Sequence, residues 1–267
     1  MKIAYILNGN DGIPRDKDML DLYQGFQEHC YDIKFYTAVD VVSGKIQVKK
    51  EDVFCGTINL CRLIWFQLGV KEPVVDDYPS ILEKFLYRKI KKSTLSNFRK
   101  MLKFNEENGI VREYFIKPVK VKLFTGNVFN NVLQLERFKG EIGSDTQIYI
   151  SDSVNFLSEY RTYVHKGKIL DVKHYYGSWE FHPGDEDIKK MVEMVTPVMP
   201  ISYSLDVGVT SSHQCALVEC NDGYALGNYG LEAKDYATMI RDRWWEIVGY
   251  DQNINTLLGN TTNVKFN

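Results

Sequence analysis

The spacing of apolar residues changes period several times in the first part of the chain. Residues 2–7 form a short apolar run that is typical of a buried strand, and residues 16–29 place apolar side chains at helical spacing. A second strand is predicted at 32–37, and another strand and helix follow it. Because strands and helices alternate, the pattern predicts a small open α/β domain over residues 1–78.

The pattern beyond this domain favours a linker, two helices and then mostly strands. Prolines and acidic residues at 72–80 indicate the linker, and helices are predicted at 81–90 and 94–105. Further helices are predicted at 185–195 and 236–248. The predicted strands cover residues 114–116, 119–124, 147–150, 160–164, 169–172, 202–209 and 215–219.

Composition narrows the class of protein. The chain has 267 residues, of which 44% are hydrophobic, enough for a large core and too many for a disordered chain. Its 33 basic residues nearly balance 35 acidic ones, which argues against nucleic acid as a partner. The balance of the whole chain does not exclude a local basic groove. Five cysteines without a CxxC pair favour a reducing compartment. No apolar run reaches the ~20 residues of a membrane span, so we expect a cytoplasmic protein without membrane contact.

Two predicted neighbouring strands carry a set of oxygen ligands. Glu219 and Asn221 are two residues apart on one strand, so their side chains point to the same face. Asp206 lies on the preceding strand, and the short connection allows it to lie beside them. Such hard oxygen ligands suit Mg²⁺ shared with phosphates. The alternative is an ordinary hairpin with polar residues on its wet face.

Two further segments carry charges that suit an anionic ligand. Lys117 ends an apolar strand, and Lys122 follows near a glycine-containing turn, so both could hold phosphate oxygens. Glu159 and Arg161 share one strand face, which pairs an acceptor with a planar cationic fork. A solvated basic edge strand and a cross-strand ion pair are the respective alternatives.

Taken together and in this order, these motifs resemble the ATP-grasp superfamily, and most closely a phage and bacterial clade of it. Two departures stand out, since Tyr160 replaces the tryptophan of that clade and the phosphate loop has a single glycine. The segments that carry the resemblance are Phe115–Pro118, Phe124–Gly126, Ser158–Arg161, Asp206–Gly208, Glu219–Gly223 and Arg243-Trp244.

The resemblance implies a fold and a domain plan. The expected fold is α/β (α+β), with the small N-terminal α/β domain followed by two α+β lobes that hold ATP between them. The ATP-grasp domain would cover 79–255, with its first lobe at 79–155 and its second at 156–255. The remaining residues, 256–267, are expected to form a tail.

The resemblance also implies roles for individual residues. Arg161 and Lys122 are the expected catalytic cations, and Asp206, Glu219 and Asn221 the expected magnesium ligands. The expected ATP contacts are Lys117, Lys122, Tyr149, Ile150, Glu159 and Arg88, with adenine held by backbone groups of the strand that contains Tyr149 and Ile150. Arg88 or Lys89 is the candidate for the position of the first nucleotide-binding lysine of the superfamily, which has no certain match in this chain.

The activity implied by the resemblance is ADP-forming ligation. A carboxylate is activated as an acyl phosphate and joined to an amine, and either substrate is a small molecule or a peptide. ATP and Mg²⁺ are the expected cofactors, in a bacterial cell or a phage-infected host cell. The alternatives are a kinase of the same fold and a nucleotide-binding protein without turnover, although the intact metal trio argues against the latter.

Overall fold

The computed structural model describes residues 2–9, 12–138 and 142–251, so the predicted tail at 256–267 lies outside the described residues. The α-helices are α1 Lys17–Glu28, α2 Ala38–Val42, α3 Ile58–Gln67, α4 Leu95–Glu107, α5 Asp185–Val195 and α6 Ala233–Val248. Short 3₁₀ helices cover Ser80–Phe85, Leu133–Phe138 and Thr196–Val198. The strands are β1 Ile3–Leu7, β2 Asp32–Tyr36, β3 Val53–Cys55, β4 Ile90–Thr94, β5 Tyr114–Pro118, β6 Asn127–Phe129, β7 Gln147–Asp152, β8 Phe156–His165, β9 Lys168–Gly177, β10 Ser202–Thr210 and β11 Cys215–Asp222.

These elements build three sheets, which confirms the mixed α/β (α+β) class. Packing divides the chain into a larger unit, Met1–Phe85 with the chain from Leu157 onward, and a smaller unit, Leu86–Phe156. The domain boundaries of the sequence analysis stay a prediction. Within the described ranges, no helix combines the length and apolarity needed to cross a bilayer.

The N-terminal part of the larger unit is the predicted open α/β layer. Its parallel sheet has the order β2-β1-β3, and the central β1 is an apolar run in which every residue after Ile3 is buried. Asp16 caps α1 by accepting a 3.0 Å hydrogen bond from the Met19 N–H, which fixes where the first helix begins. The core of this layer extends to Trp244 and other residues of α6, so distant parts of the sequence share one core.

Helix α1 approaches α6 closely at Gly25. A Cβ built on Gly25 would lie 2.1 Å from the Ala233 carbonyl oxygen and 2.7 Å from the Ala237 Cβ. Both are atoms of a rigid helix or its first turn, which cannot move aside as a flexible side chain would. Glycine is therefore needed here for the close packing of the two helices.

We expect Gly25→Ala to lower the free energy of unfolding by about 1–3 kcal/mol, because the added methyl overpacks the α1–α6 contact. Helix propensity alone would favour alanine by about 1 kcal/mol. A lower free energy of unfolding would therefore be caused by overpacking of the two helices. Urea denaturation measures the change, with Gln24→Ala at the neighbouring exposed helix position as the control. Equal or greater stability of Gly25→Ala would contradict the close approach.

The second sheet of the larger unit is antiparallel, with the order β11-β10-β8-β9. The β10–β11 register places Asp206 opposite Glu219 and Ser204 opposite Asn221. Residues that are directly opposite, or two apart on one strand, share a face of the sheet. The predicted pair of strands is thus present, in the register that brings the polar residues to one face.

The smaller unit is a sheet of order β4-β7-β5-β6 with α4 on one face. Ile116, Ile148 and Ile150 pack against Phe98 and Leu102 of α4. The opposite face therefore carries the intervening positions of each strand, among them Lys117.

Two predicted elements of this region are wrong. The helix predicted at 81–90 is a 3₁₀ helix that ends at Phe85 and is followed by β4, and Tyr87 between them has a left-handed φ of 48° that ends any helix. The strand predicted at 119–124 is a series of turns and bends, with Lys122 at φ 61°. Its apolar side chains Val121 and Leu123 are 43% and 44% exposed, so no sheet face buries them.

Candidate functional site

The three predicted metal ligands converge on one face of the larger unit's antiparallel sheet. Asp206 and Glu219 are directly opposite, and the Asn221 side-chain amide donates a 3.2 Å hydrogen bond to Asp206 Oδ2. Asp206 is 2% exposed, whereas Glu219 and Asn221 are half-buried at the edge strand. The sheet therefore supplies two carboxylates and an amide at one point, and their role as metal ligands stays a prediction.

Arg161 holds the Asp206 carboxylate with a two-pronged contact. Its Nε and Nη2 donate to Oδ1 and Oδ2 at 2.8 and 2.7 Å. Ser204 adds a weaker 3.4 Å hydrogen bond to Oδ1. Burial acts to lower the pKa of Arg161, but the charge and hydrogen bonds of Asp206 outweigh it and hold the pKa above its ordinary value. For Asp206, burial raises the pKa and the facing guanidinium opposes that shift. Arg161 is thus a buried, permanent cation beside the predicted metal ligands.

Two tyrosines that the sequence analysis missed pack against this guanidinium. The Arg161 Cζ lies 4.9 Å from the Tyr229 ring centroid and 5.8 Å from that of Tyr175. The two rings stack on each other at 4.8 Å with an interplanar angle of 19°. Stacked aromatic faces favour a planar cation and restrict its rotation. Period-2 spacing along β9 was a usable signal for Tyr175, but Tyr229 lies in a loop whose path no local pattern gives.

Glu159 is on the same strand as Arg161, and its carboxylate accepts a 2.6 Å hydrogen bond from the Tyr175 hydroxyl. The carboxylate that receives the Arg161 fork is Asp206 of the neighbouring strand β10, so the structure contains the cross-strand ion pair that the sequence analysis gave as the alternative. Glu159 is instead linked to Arg161 through the tyrosine stack. A contact of Glu159 with ribose stays a prediction.

The donor set fits the magnesium ion that the superfamily resemblance implies. Carboxylate and amide oxygens are the ligands Mg²⁺ takes in proteins, and the ion keeps several waters when so few side chains hold it. Asp206, Glu219 and Asn221 would hold it, and the Asn221 amide would turn its oxygen toward the ion. A bound magnesium ion would supply positive charge to phosphate oxygens.

In the smaller unit, two lysines flank one tyrosine on the face opposite α4. Tyr149 of the central strand β7 is directly opposite Lys92 of β4 and Lys117 of β5. The ammonium groups lie 5.2 and 5.7 Å from the centroid of the Tyr149 ring. Two positive charges this close on one face favour an anionic ligand. Sequence analysis missed Lys92, since the wrongly predicted helix at 81–90 left no strand to place it on.

The other predicted nucleotide contacts occupy different environments. The backbone groups of Tyr149 and Ile150 are used by ladders on both sides of β7, and the Ile150 side chain is 3% exposed in the core. The expected adenine contacts of Tyr149 and Ile150 stay predictions. Lys122 lies in the turns after β5, and Arg88 lies 5.8 Å from the Phe156 ring. Their contacts with ATP stay predictions.

Comparison with solved structures confirms the predicted ATP-grasp fold. The D-cycloserine synthetase DcsG matches with a TM-score of 0.55 at 12% identity, over 91% of this chain and 99% of that chain. A RimK domain ATP-grasp protein from Sphaerobacter thermophilus DSM 20745 gives 0.57 at 13% identity, with the same coverages of 91% and 99%. The macrocyclase MdnC from Microcystis aeruginosa MRC, bound with precursor peptide MdnA, gives 0.51 at 10% identity over 93% and 99%. Identities this low establish similarity of fold.

The sequence itself supplies the family. A comparison with curated protein sequences gave no significant match. The profile described as "ATP-grasp domain, R2K clade family 2" matches residues 85–239, which is more than half of the chain and includes every predicted site residue. The chain therefore belongs to the ATP-grasp superfamily, in the clade family that this profile describes.

Proposed function

We propose that this protein is an ATP-dependent ligase that activates a carboxylate as an acyl phosphate and joins it to an amine with release of ADP. The observation that carries the proposal is the convergence of Asp206, Glu219 and Asn221 beside the buried Arg161 guanidinium. This arrangement would provide metal ligands beside a fixed cation. Phosphoryl transfer depends chiefly on such positioned charges.

The proposed reaction has two steps. A carboxylate oxygen of the first substrate attacks the γ-phosphorus of ATP, and the bond to the ADP oxygen breaks. The amine nitrogen of the second substrate then attacks the acyl carbon, inorganic phosphate leaves, and the nitrogen loses a proton. Arg161 would stabilise the charge on the transferred phosphoryl group in the first step, while Lys117 and Lys92 would bind the nucleotide phosphates and Lys122 would assist.

The chain's own side chains have distinct tasks in this scheme. Arg161 is oriented before any ligand binds, because Asp206 fixes its fork and the two tyrosines fix its plane. A donor that is already oriented stabilises the transition state without reorganisation. Glu159 would accept hydrogen bonds from the ribose hydroxyls.

Turnover experiments test the proposed function. The protein is incubated with ATP, Mg²⁺ and pools of amino acids, dicarboxylates and short peptides, and ADP release and product mass are measured. We expect ADP release that requires both a carboxylate and an amine, and a product whose mass equals the two substrates minus water. A stable phosphorylated product that needs no amine would identify a kinase instead. No nucleotide binding or turnover with any pool would contradict the proposal.

We expect Lys117→Met to weaken ATP binding at least tenfold, about 1.4 kcal/mol, because the substitution keeps the apolar stem and removes the charge next to the phosphates. Lys92→Met is expected to have an effect of the same order, since Lys92 flanks the same Tyr149 ring. Isothermal titration with a nonhydrolysable ATP analogue measures the affinity.

The matched control is Lys91→Met, which removes an exposed charge from the opposite face of the same sheet. Its nucleotide affinity should stay within about twofold of the parent protein. Equal affinities for Lys117→Met and Lys91→Met would remove Lys117 from the proposed nucleotide site.

A further inference from the structure

The loop between β11 and α6 is held by an asparagine that the proposed reaction does not use. Asn228 is 6% exposed, and every polar group of its side chain is engaged. Its Oδ1 accepts hydrogen bonds from the backbone N–H groups of Gly230 and Leu231 at 3.1 and 2.8 Å. Its Nδ2 donates to the Leu231 carbonyl at 3.1 Å, so Asn228 shapes the loop from within.

The same asparagine fastens the loop to helix α1. The Asn228 backbone N–H donates a 2.9 Å hydrogen bond to Asp18 Oδ1, and its Nδ2 donates a 2.8 Å hydrogen bond to Asp21 Oδ2. The two carboxylates are one helical turn apart and face the loop together. Hydrogen bonds to ionised acceptors are stronger than neutral ones, and burial strengthens them further. The loop thus has a fixed position relative to α1 in the larger unit.

The position of this loop determines which groups contact the Arg161 guanidinium. The residue after Asn228 is Tyr229, whose ring packs on the guanidinium, and the Tyr229 N–H donates to the Tyr163 hydroxyl at 2.9 Å. The residue before it is Gly227, whose carbonyl accepts from Arg161 Nη1 at 3.3 Å. Both groups that reach Arg161 from the loop are direct chain neighbours of Asn228.

We propose that Asn228 is a positioning residue, which, through its bonds to Asp18 and Asp21, holds Tyr229 and the Gly227 carbonyl against the Arg161 guanidinium and so sets its orientation. Helix α1 then contributes to the orientation of the cation without touching it. The consequence for catalysis rests on the proposed function, while the consequence for the Arg161 side chain does not.

The orientation of Arg161 can be measured without any substrate. In a ¹H–¹⁵N spectrum of the full chain, the Arg161 Nε–H should give a protected signal, because it is bonded to Asp206 and lies next to two tyrosine rings. The signal is assigned to Arg161 because it should be absent from the spectrum of Arg161→Lys, which has no guanidinium. Asn228→Ala should shift or broaden it as strongly as Tyr229→Leu does, whereas Asn59→Ala, at an exposed asparagine of the same unit, should leave it unchanged.

Kinetics and a reciprocal exchange complete the test. Asn228→Ala should lower kcat at least tenfold while the nucleotide Kd changes less than threefold, since a misplaced group affects the reaction more than binding. Asn228→Asp places a third carboxylate beside Asp18 and Asp21 and should be worse. The double variant Asp21→Asn with Asn228→Asp restores a hydrogen bond between these two positions with donor and acceptor exchanged, and should recover both the Arg161 signal and part of kcat.

The outcomes separate this inference from the proposed function. An Arg161 signal that is identical in the parent protein and Asn228→Ala would overturn the positioning role, whatever the activity. A shifted signal that the reciprocal exchange restores supports the role even if no variant, nor the parent, shows ligase turnover. A signal change of equal size in Asn59→Ala would show a general loss of structure and would also overturn the role.

Discussion

Arg161→Lys is expected to lower kcat by about a hundredfold and to change the nucleotide Kd by less than about threefold. Loss of one preoriented donor in a buried site costs about 10²–10³ in kcat. Lysine keeps the charge but lacks the planar fork that reaches both oxygens of Asp206 and stacks on Tyr229. Because the role proposed for Arg161 is to stabilise the transition state, kcat should fall more than nucleotide affinity. Steady-state ADP release and titration with an ATP analogue measure the two quantities.

Stability measurements are the necessary control for this variant. Removing the guanidinium entirely, as in Arg161→Ala, leaves the buried Asp206 carboxylate without its partner, and breaking such a pair costs about 3–5 kcal/mol. Arg161→Ala is therefore expected to be destabilised in urea, while Arg161→Lys should lose less. If Arg161→Ala only lowers stability and kcat stays at the parent value, Arg161 is a structural ion-pair partner and has no role in phosphoryl transfer.

The polar face of β10 and β11 could be predicted from the sequence because it depends on short-range geometry. Glu219 and Asn221 share a face through the period of the strand, and the short connection to β10 fixes the register of Asp206. The partner of Asp206 was not predictable in this way. The guanidinium that binds Asp206 belongs to Arg161 on β8, 45 residues away. The local spacing of residues does not determine the order of strands in a sheet.

The smaller unit shows where the pattern misleads. Residues 119–124 alternate apolar and basic side chains, as a strand does, but they form turns and bends in which Val121 and Leu123 are exposed. Conversely, the sequence pattern did not predict strand β4, because Lys91 and Lys92 lie between apolar positions that also fit a helix. The left-handed conformation of Tyr87, which separates the 3₁₀ helix from β4, is uncommon for a bulky residue and has no sequence signal of its own.

The largest effect is expected for Glu219→Gln, which should lower kcat at least a thousandfold, about 4 kcal/mol, without unfolding the chain. The amide keeps the shape of the side chain and removes one of the two negative charges that face the proposed metal position. Glu219 lies half-buried on the edge strand β11, so an amide of the same shape should fit there without disturbing the sheet. Turnover, thermal unfolding and Mn²⁺ binding in the presence of an ATP analogue are measured together, with Glu193→Gln on α5 as an exposed control.

Asp206 and Asn221, the other two proposed metal ligands, should respond differently because their surroundings differ. Asp206→Asn also removes turnover, but it leaves the Arg161 guanidinium buried beside a neutral amide, so a loss of stability is expected with it. Asn221→Asp preserves an oxygen ligand and should retain part of kcat. Apo protein should bind Mn²⁺ weakly in every case, since so few side chains would hold the ion and nucleotide phosphates would supply the remaining ligands in the proposed site. Full turnover in Glu219→Gln, or nucleotide-dependent Mn²⁺ binding equal to that of Glu193→Gln, would remove Glu219 from the metal site and the ligase proposal would lose its main support.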